Sequence, residues 1–180
     1  MKTKKVPYIS LGDGRRFTPT RLRDMDFRIE DIAHALSREY RFSNFGSPQI
    51  SVAQHCLEVS WRCSPENALV GLMHDASEAF LRDIASPIKN LPELKGYRQL
   101  ENRVMRAIAK QHGFQWPIPK EVKRVDHEVT LLEYAAVVEP GKGCNDLNYY
   151  HYLWWEGRVE RERWAYAGFL KRYEELASPA

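Results

Sequence analysis

At 180 residues, 43% of them hydrophobic, the chain can bury the core of one domain and is short for two. Its three cysteines, Cys56, Cys63 and Cys144, are never spaced Cys-x-x-Cys, which speaks against a disulfide framework or a thiolate zinc site and suits a reducing cytoplasm. The net charge is only +3, with the excess gathered at Lys2, Lys4, Lys5, Arg15, Arg16, Arg21 and Arg23, and no apolar run approaches a membrane span. A cytoplasmic, non-membrane protein is expected, its basic arm a solvated tail rather than a nucleic-acid contact.

Residues 1–28 form that arm. Between residues 8 and 18 apolar and polar residues alternate around Gly12-Asp13-Gly14, a turn sequence suited to positive φ, so a small β-hairpin is expected. From residue 29 to 180 the periodicity is helical, which predicts a single compact all-α bundle. Ile29, Ile32, Ala33, Leu36 and Tyr40 share the face of a first helix ending near Arg41. Ser51 with Gln54 makes a capping box for a second helix, whose stripe is Val52, Cys56 and Val59. Ser64-Pro65 supplies the cap and first turn of a third, with Leu69, Leu72, Met73, Ala76, Ala79 and Phe80 as its apolar face.

Two prolines then break helicity over residues 82–92. Leu100, Val104, Ala107 and Ile108 mark a fourth helix closed by Gly113. Pro119 opens a fifth with the stripe Val122, Val125, Val129, Leu132 and Ala136, ending before Pro140-Gly141. A last helical stretch, residues 147–176, carries Tyr149, Tyr150, Tyr152, Trp154, Trp155 and Trp164, more aromatics than a monomer's core takes up. They could pack this helix, stack a nucleobase or line a subunit interface, and a homo-oligomer is expected.

Two histidines and two aspartates, His55, His74, Asp75 and Asp126, are the nitrogen and oxygen donors that suit manganese, cobalt, iron, zinc or magnesium. Each has a plainer explanation. On a continuous helix, His74, Asp75 and Glu78 project together, opposite the Leu69, Leu72, Met73 and Ala76 face, as a wet surface would. Asp126 sits beside Val122, Val125 and Val129 and needs a partner, which Lys123 or a distant arginine could supply. His55, at the edge of its stripe, could be a satisfied core histidine. His34, His112, His127 and His151 match no motif.

His55, His74-Asp75 and Asp126, with His74-Asp75-Ala76-Ser77-Glu78-Ala79 leading into Asp83-Ile84-Ala85-Ser86-Pro87-Ile88-Lys89, resemble the HD-domain metal-dependent phosphohydrolases. The branch most similar is the small 5'-deoxynucleotidases and their phage relatives, which include dATP triphosphohydrolases. Residues 51–55 resemble the first histidine motif, which often has Glu where this chain has Gln54, and Arg41-Phe42 resembles an Arg-aromatic pair upstream of it. The likeness spans residues 31–138.

The resemblance implies one divalent metal on His55, His74, Asp75 and Asp126, and Glu78 placing or deprotonating the attacking water. It puts Asp83 at the sugar or the leaving oxygen, where the plainer alternative is a loop cap. Arg41 and Lys89 would meet phosphate oxygens, if they are not ordinary surface cations, and Phe42 a base or sugar, if it is not core. The substrate implied is a deoxynucleotide 5'-phosphate: a dNMP cut to nucleoside and phosphate or, almost equally, a dNTP cut to nucleoside and triphosphate, with Arg15 and Arg16 helping if the hairpin folds over the site. The alternatives are an HD phosphodiesterase, although Gly96-Tyr97 is followed by Arg98 and not by the proline of the cyclic-dinucleotide branch, and a non-catalytic module binding nucleic acid or protein.

Overall fold

The computed structural model describes residues 6–139 and 158–177. Among these residues two short strands, β1 (Ile9–Ser10) and β2 (Arg16–Phe17), precede eight α-helices: α1 (Ile29–Leu36), α2 (Val52–Arg62), α3 (Ala68–Met73), α4 (Glu78–Leu81), α5 (Ser86–Lys89), α6 (Lys95–His112), α7 (Lys120–Val137) and α8 (Arg158–Ala177). The protein is all-α with a small N-terminal hairpin, as its periodicity predicts.

The hairpin pairs Ile9 with Phe17 and Ser10 with Arg16 in antiparallel register, around Gly14 at φ +84°. It is anchored by one ring. Phe17 is fully buried, stacked 5.0 Å from Phe80, and Phe27 meets the same ring edge-on at 5.3 Å. Arg15 is held by Asp13 and Asp31, and Arg16 lies 4.2 Å over the Tyr8 ring, so neither arginine reaches over the His-Asp residues.

Helix α1 buries Ile32, Ala33 and Leu36, as its spacing predicts, but stops at Leu36 and not near Arg41. The cause is competition for hydrogen bonds. The Ser37 hydroxyl donates to the His34 carbonyl, and the chain then extends so that Val52 N–H donates to Glu39 O and Arg41 N–H to Ile50 O. Tyr40 therefore leaves the helical face, and its hydroxyl donates to Glu162 of α8 at 2.6 Å.

Helix α2 begins at the predicted capping box: Ser51 Oγ accepts from Gln54 N–H, and Gln54 Oε1 accepts from Ser51 N–H at 2.8 Å. Gln54 thereby earns its place locally. The third predicted helix forms as two, α3 and α4. Ser64 does not cap it; its N–H and hydroxyl donate to Glu121 of α7, and a 3-10 turn over Pro65–Asn67 leads into α3. After Met73 the pairing tightens to three residues, with Ala76 N–H on Met73 O and Glu78 N–H on Asp75 O. Residues 82–92 are not wholly non-helical, because Pro87 sits in the first turn of α5, where its missing N–H costs nothing.

Helix α6 ends at Gly113, whose φ of +71° is the left-handed cap that glycine adopts without strain. On α7 the buried stripe is Val122, Val125, Val129, Glu133 and Ala136, so Glu133 takes the inward position expected of Leu132, which is half-buried. Helix α2 is the centre of the bundle, packed on α3, α7 and α8, while α1 lies against α8 and α4. Trp164 of α8 packs edge-on to Trp61 at 6.3 Å. The other C-terminal aromatics named above, with Lys2, Lys4, Lys5, Cys144 and His151, lie outside the described residues. Among the described residues no helix is long and apolar enough to cross a membrane.

Candidate metal centre

His55 enters from the first turn of α2, His74 and Asp75 from the tight turn between α3 and α4, and Asp126 from the middle of α7. One ligand atom from each of His55, His74 and Asp75 lies within 4.8 Å of the other two, so this group could hold a metal ion. Asp126 flanks it, its Oδ1 3.1 Å from His55 Nε2 and 3.8 Å from His74 Nε2. Lys123, the partner its own helix offers, is exposed and makes no ion pair with it. The wet-surface explanation also fails, because His74 and Glu78 are buried and Asp75 is only 24% exposed at its side chain. The three-residue pairing after Met73 rotates this segment away from the straight-helix projection and turns it inward.

Both imidazoles are locked at the nitrogen facing away from the group. His55 Nδ1 lies 3.1 Å from both oxygens of Glu133, and His74 Nδ1 donates to Gly71 O at 2.8 Å. With protons there, both Nε2 lone pairs face the carboxylates of Asp75 and Asp126. Four such acceptors cannot converge without positive charge between them. Buried His74 Nε2 lies 3.2 Å from Asp75 and 3.8 Å from Asp126, within reach of both carboxylates as a nitrogen that serves as a ligand would be. Burial opposes a charge on His74, but the Asp75 carboxylate outweighs it and holds the imidazole well above the usual histidine range. Burial likewise raises Asp126, yet the hydrogen bonds from His55 and His74 bring it far below the usual carboxylate range. A proton or a metal ion meets the same demand.

Glu133 was not picked out from the sequence. It is fully buried, touches His55 and lies 2.9 Å from Arg41 Nε, so it orients a ligand and fixes a cation together. Its signal was a charge two helical turns after Asp126 on an otherwise apolar stripe. Arg41 also donates to Thr130 Oγ1 at 2.9 Å, and Thr130 in turn donates to Asp126 at 3.4 Å. Phe42 packs edge-on to Tyr134 at 5.9 Å, with the Arg41 guanidinium 5.5 Å over its ring. It belongs to the small cluster with Ile50, Ala136 and Val137.

Glu78 Oε1 accepts from Lys89 at 3.2 Å, while its buried Oε2 has no hydrogen-bond partner. Burial, then the charges of Asp75 and Asp83, push this carboxyl well above the usual range against the pull of Lys89 and Arg41. Lys89 also donates to Glu101 at 2.8 Å, so it is doubly paired and no free surface cation. Asp83 is half-buried and its carboxyl is raised, first by burial and then by Asp75 against the pull of Arg41.

The backbone delivers Asp83 through Arg82, at φ +74° and ψ 152°, a conformation costly for any residue but glycine. The strain is held on three sides. Arg82 N–H donates to Glu78 O, the Tyr97 hydroxyl donates to Arg82 O at 2.9 Å, and the Arg82 guanidinium sits 2.7 Å from Glu39. Glu39 in turn accepts from Asp83 N–H at 3.3 Å.

A cavity of about 200 Å³ borders the group, lined by His74, Asp75, Asp126, Ser77, Lys89 and Arg98 among others. Arg98 was missed by the motif; it donates to the carbonyls of Lys89 and Leu91 and has no carboxylate partner among the described residues. Of the unmatched histidines, His112 joins Tyr173 to the Phe27 carbonyl, His34 meets Arg38, and His127 is exposed.

No family model matches the chain. It is similar to the uncharacterized protein YfdR of Escherichia coli K12, 30% identical over 181 aligned residues that cover 96% of this chain and 97% of YfdR. It is also similar to the uncharacterized protein RCAP_rcc00048 of Rhodobacter capsulatus, 34% identical over 120 residues, covering 62% of this chain and 61% of that one.

Proposed function

We propose a function for this chain, which belongs to the same family as YfdR of Escherichia coli: metal-dependent hydrolysis of a deoxynucleotide 5'-phosphate. One observation carries the proposal. Two buried imidazoles, each fixed by a hydrogen bond at Nδ1, aim Nε2 at the carboxylates of Asp75 and Asp126 beside a cavity with cations in its wall. His55, His74, Asp75 and Asp126 would hold the ion, and their resemblance to the HD phosphohydrolase motif selects phosphoester chemistry among the reactions such a site allows. A divalent ion there supplies a Lewis acid and acidifies water; manganese, cobalt, zinc, iron and magnesium all suit the donor set.

The chain's own groups supply the rest. Glu78, with one oxygen held by Lys89 and the other unpartnered, places the attacking water or takes its proton. Asp83, whose raised carboxyl keeps a proton longer than an ordinary aspartate, gives one to the leaving 5'-oxygen. Arg41 is neutralised by Glu133, and Lys89 by Glu78 and Glu101, which leaves Arg98 as the cation of the cavity wall without a carboxylate. So little uncompensated charge favours a monophosphate over a triphosphate, which needs several cations along its length.

Purified protein is given dAMP and dATP with manganese or cobalt, and the products are resolved. Inorganic phosphate from dAMP, lost in Asp75→Ala, is the expected result. Triphosphate from dATP would keep the chemistry and change the substrate, and hydrolysis of neither would sink the proposal.

A further inference from the structure

Helix α6 works on two sides. Glu101 and Met105 face the cavity at the His-Asp group, whereas Arg103, Arg106 and Lys110, spaced three and four apart, share a different face of the helix. That face borders a second and larger groove, about 710 Å³, closed across from α6 by the 3-10 turn Leu22–Asp24 and the segment up to Phe27. Its apolar floor includes Leu22, Met25 and Ala107. Arg23 brings a fourth cation from the opposite wall, and no acidic residue is among those lining the groove.

Arg15, Arg41, Arg62, Arg124 and Arg172 each meet a carboxylate, but among the described residues none of Arg23, Arg103, Arg106 and Lys110 makes an ion pair or side-chain hydrogen bond. Three like charges on one helix face repel one another, and no acid stands among the residues lining the groove to relieve them. An anion seated between α6 and Arg23 would.

We infer that this groove is a second ligand site, independent of the His-Asp group, for a nucleoside triphosphate or an organophosphate of the same design. The volume falls in the range of small-molecule sites. Guanidinium groups on both walls suit bidentate capture of phosphate oxygens, the apolar floor takes a flat base, and the lack of acids turns away amines and metal ions. A single-stranded nucleic acid fits less well, because such sites stack bases on exposed aromatics and Phe27, the aromatic ring here, is 1% exposed.

The test is equilibrium binding to the full chain in EDTA, which keeps the metal-dependent reaction out of the measurement. ATP, inorganic triphosphate, adenosine and a short oligothymidylate serve as probes. ATP is expected to bind more tightly than adenosine, and less tightly as salt rises. The double variant Arg103→Ala/Arg106→Ala should weaken ATP by about tenfold or more with its melting temperature unchanged, while Lys171→Ala, on α8 and not among the residues lining the groove, leaves it alone. No ATP binding in EDTA, an equal loss in both variants, or oligothymidylate binding well ahead of ATP would each overturn the inference. Hydrolysis of dAMP with manganese reads the other site, so either conclusion can fail without the other.

Discussion

Glu133 is a fully buried carboxylate between two groups that depend on its charge, His55 and Arg41. A histidine that donates Nδ1–H to a carboxylate presents a more basic Nε2 to a metal, and loss of such a partner commonly costs 10–100-fold in affinity. Glu133→Gln keeps the shape and removes the charge. Titration with manganese should show affinity down by roughly that factor while the folded signal in circular dichroism stays. Unchanged affinity would make Glu133 a support for Arg41 alone. His55 and Asp126 were legible in the sequence as polar residues on apolar stripes. Glu133 carries the same signal, but helical spacing from Val129 fits its apolar neighbour Leu132 equally well.

The elements show how much a single hydrogen bond can move a boundary. Helix α2 starts where its Ser51 and Gln54 dictate, because both partners of the capping box are local. Ser64 looked equally decisive, yet its partner, Glu121, is 57 residues away on α7. Hydrogen bonds from the Ser64 N–H, the Ser64 hydroxyl and the Asn67 amide hold the Glu121 carboxyl below the ordinary glutamate value of 4.5. A carboxyl more acidic in the folded than in the unfolded chain adds stability above its ordinary pKa and loses it as pH falls through the folded value. Glu121→Gln should therefore melt below the wild type at neutral pH, with the gap closing as pH drops from about 4.5 downward. A gap that stays constant across that range would show that geometry, not charge, ties α7 to the turn before α3.

Taken across the fold, the His-Asp group draws on three separate places, the start of α2, the turn after α3 and the middle of α7, so a ligand there restrains the core against global unfolding. Manganese at about a hundred times its dissociation constant should add about 2.7 kcal/mol, which raises the melting temperature by roughly 5–10 °C in a chain of this size. His74→Ala should show no rise, and a wild type that melts at the same temperature with and without manganese would dismiss the metal. Local patterns sufficed for the hairpin, the helical class, the cap of α2, the glycine stop of α6 and the four donor residues, since each is written in spacings of a few residues. Whether those donors met was decided by contacts 71 and 78 residues apart, His55 with Asp126 and with Glu133. So was the inward turn of His74 and Glu78, which a straight-helix projection sends to solvent: residues 74–77 tighten where α3 ends, and only packing on α2, α6 and α7 makes that tight turn the wall of a cavity.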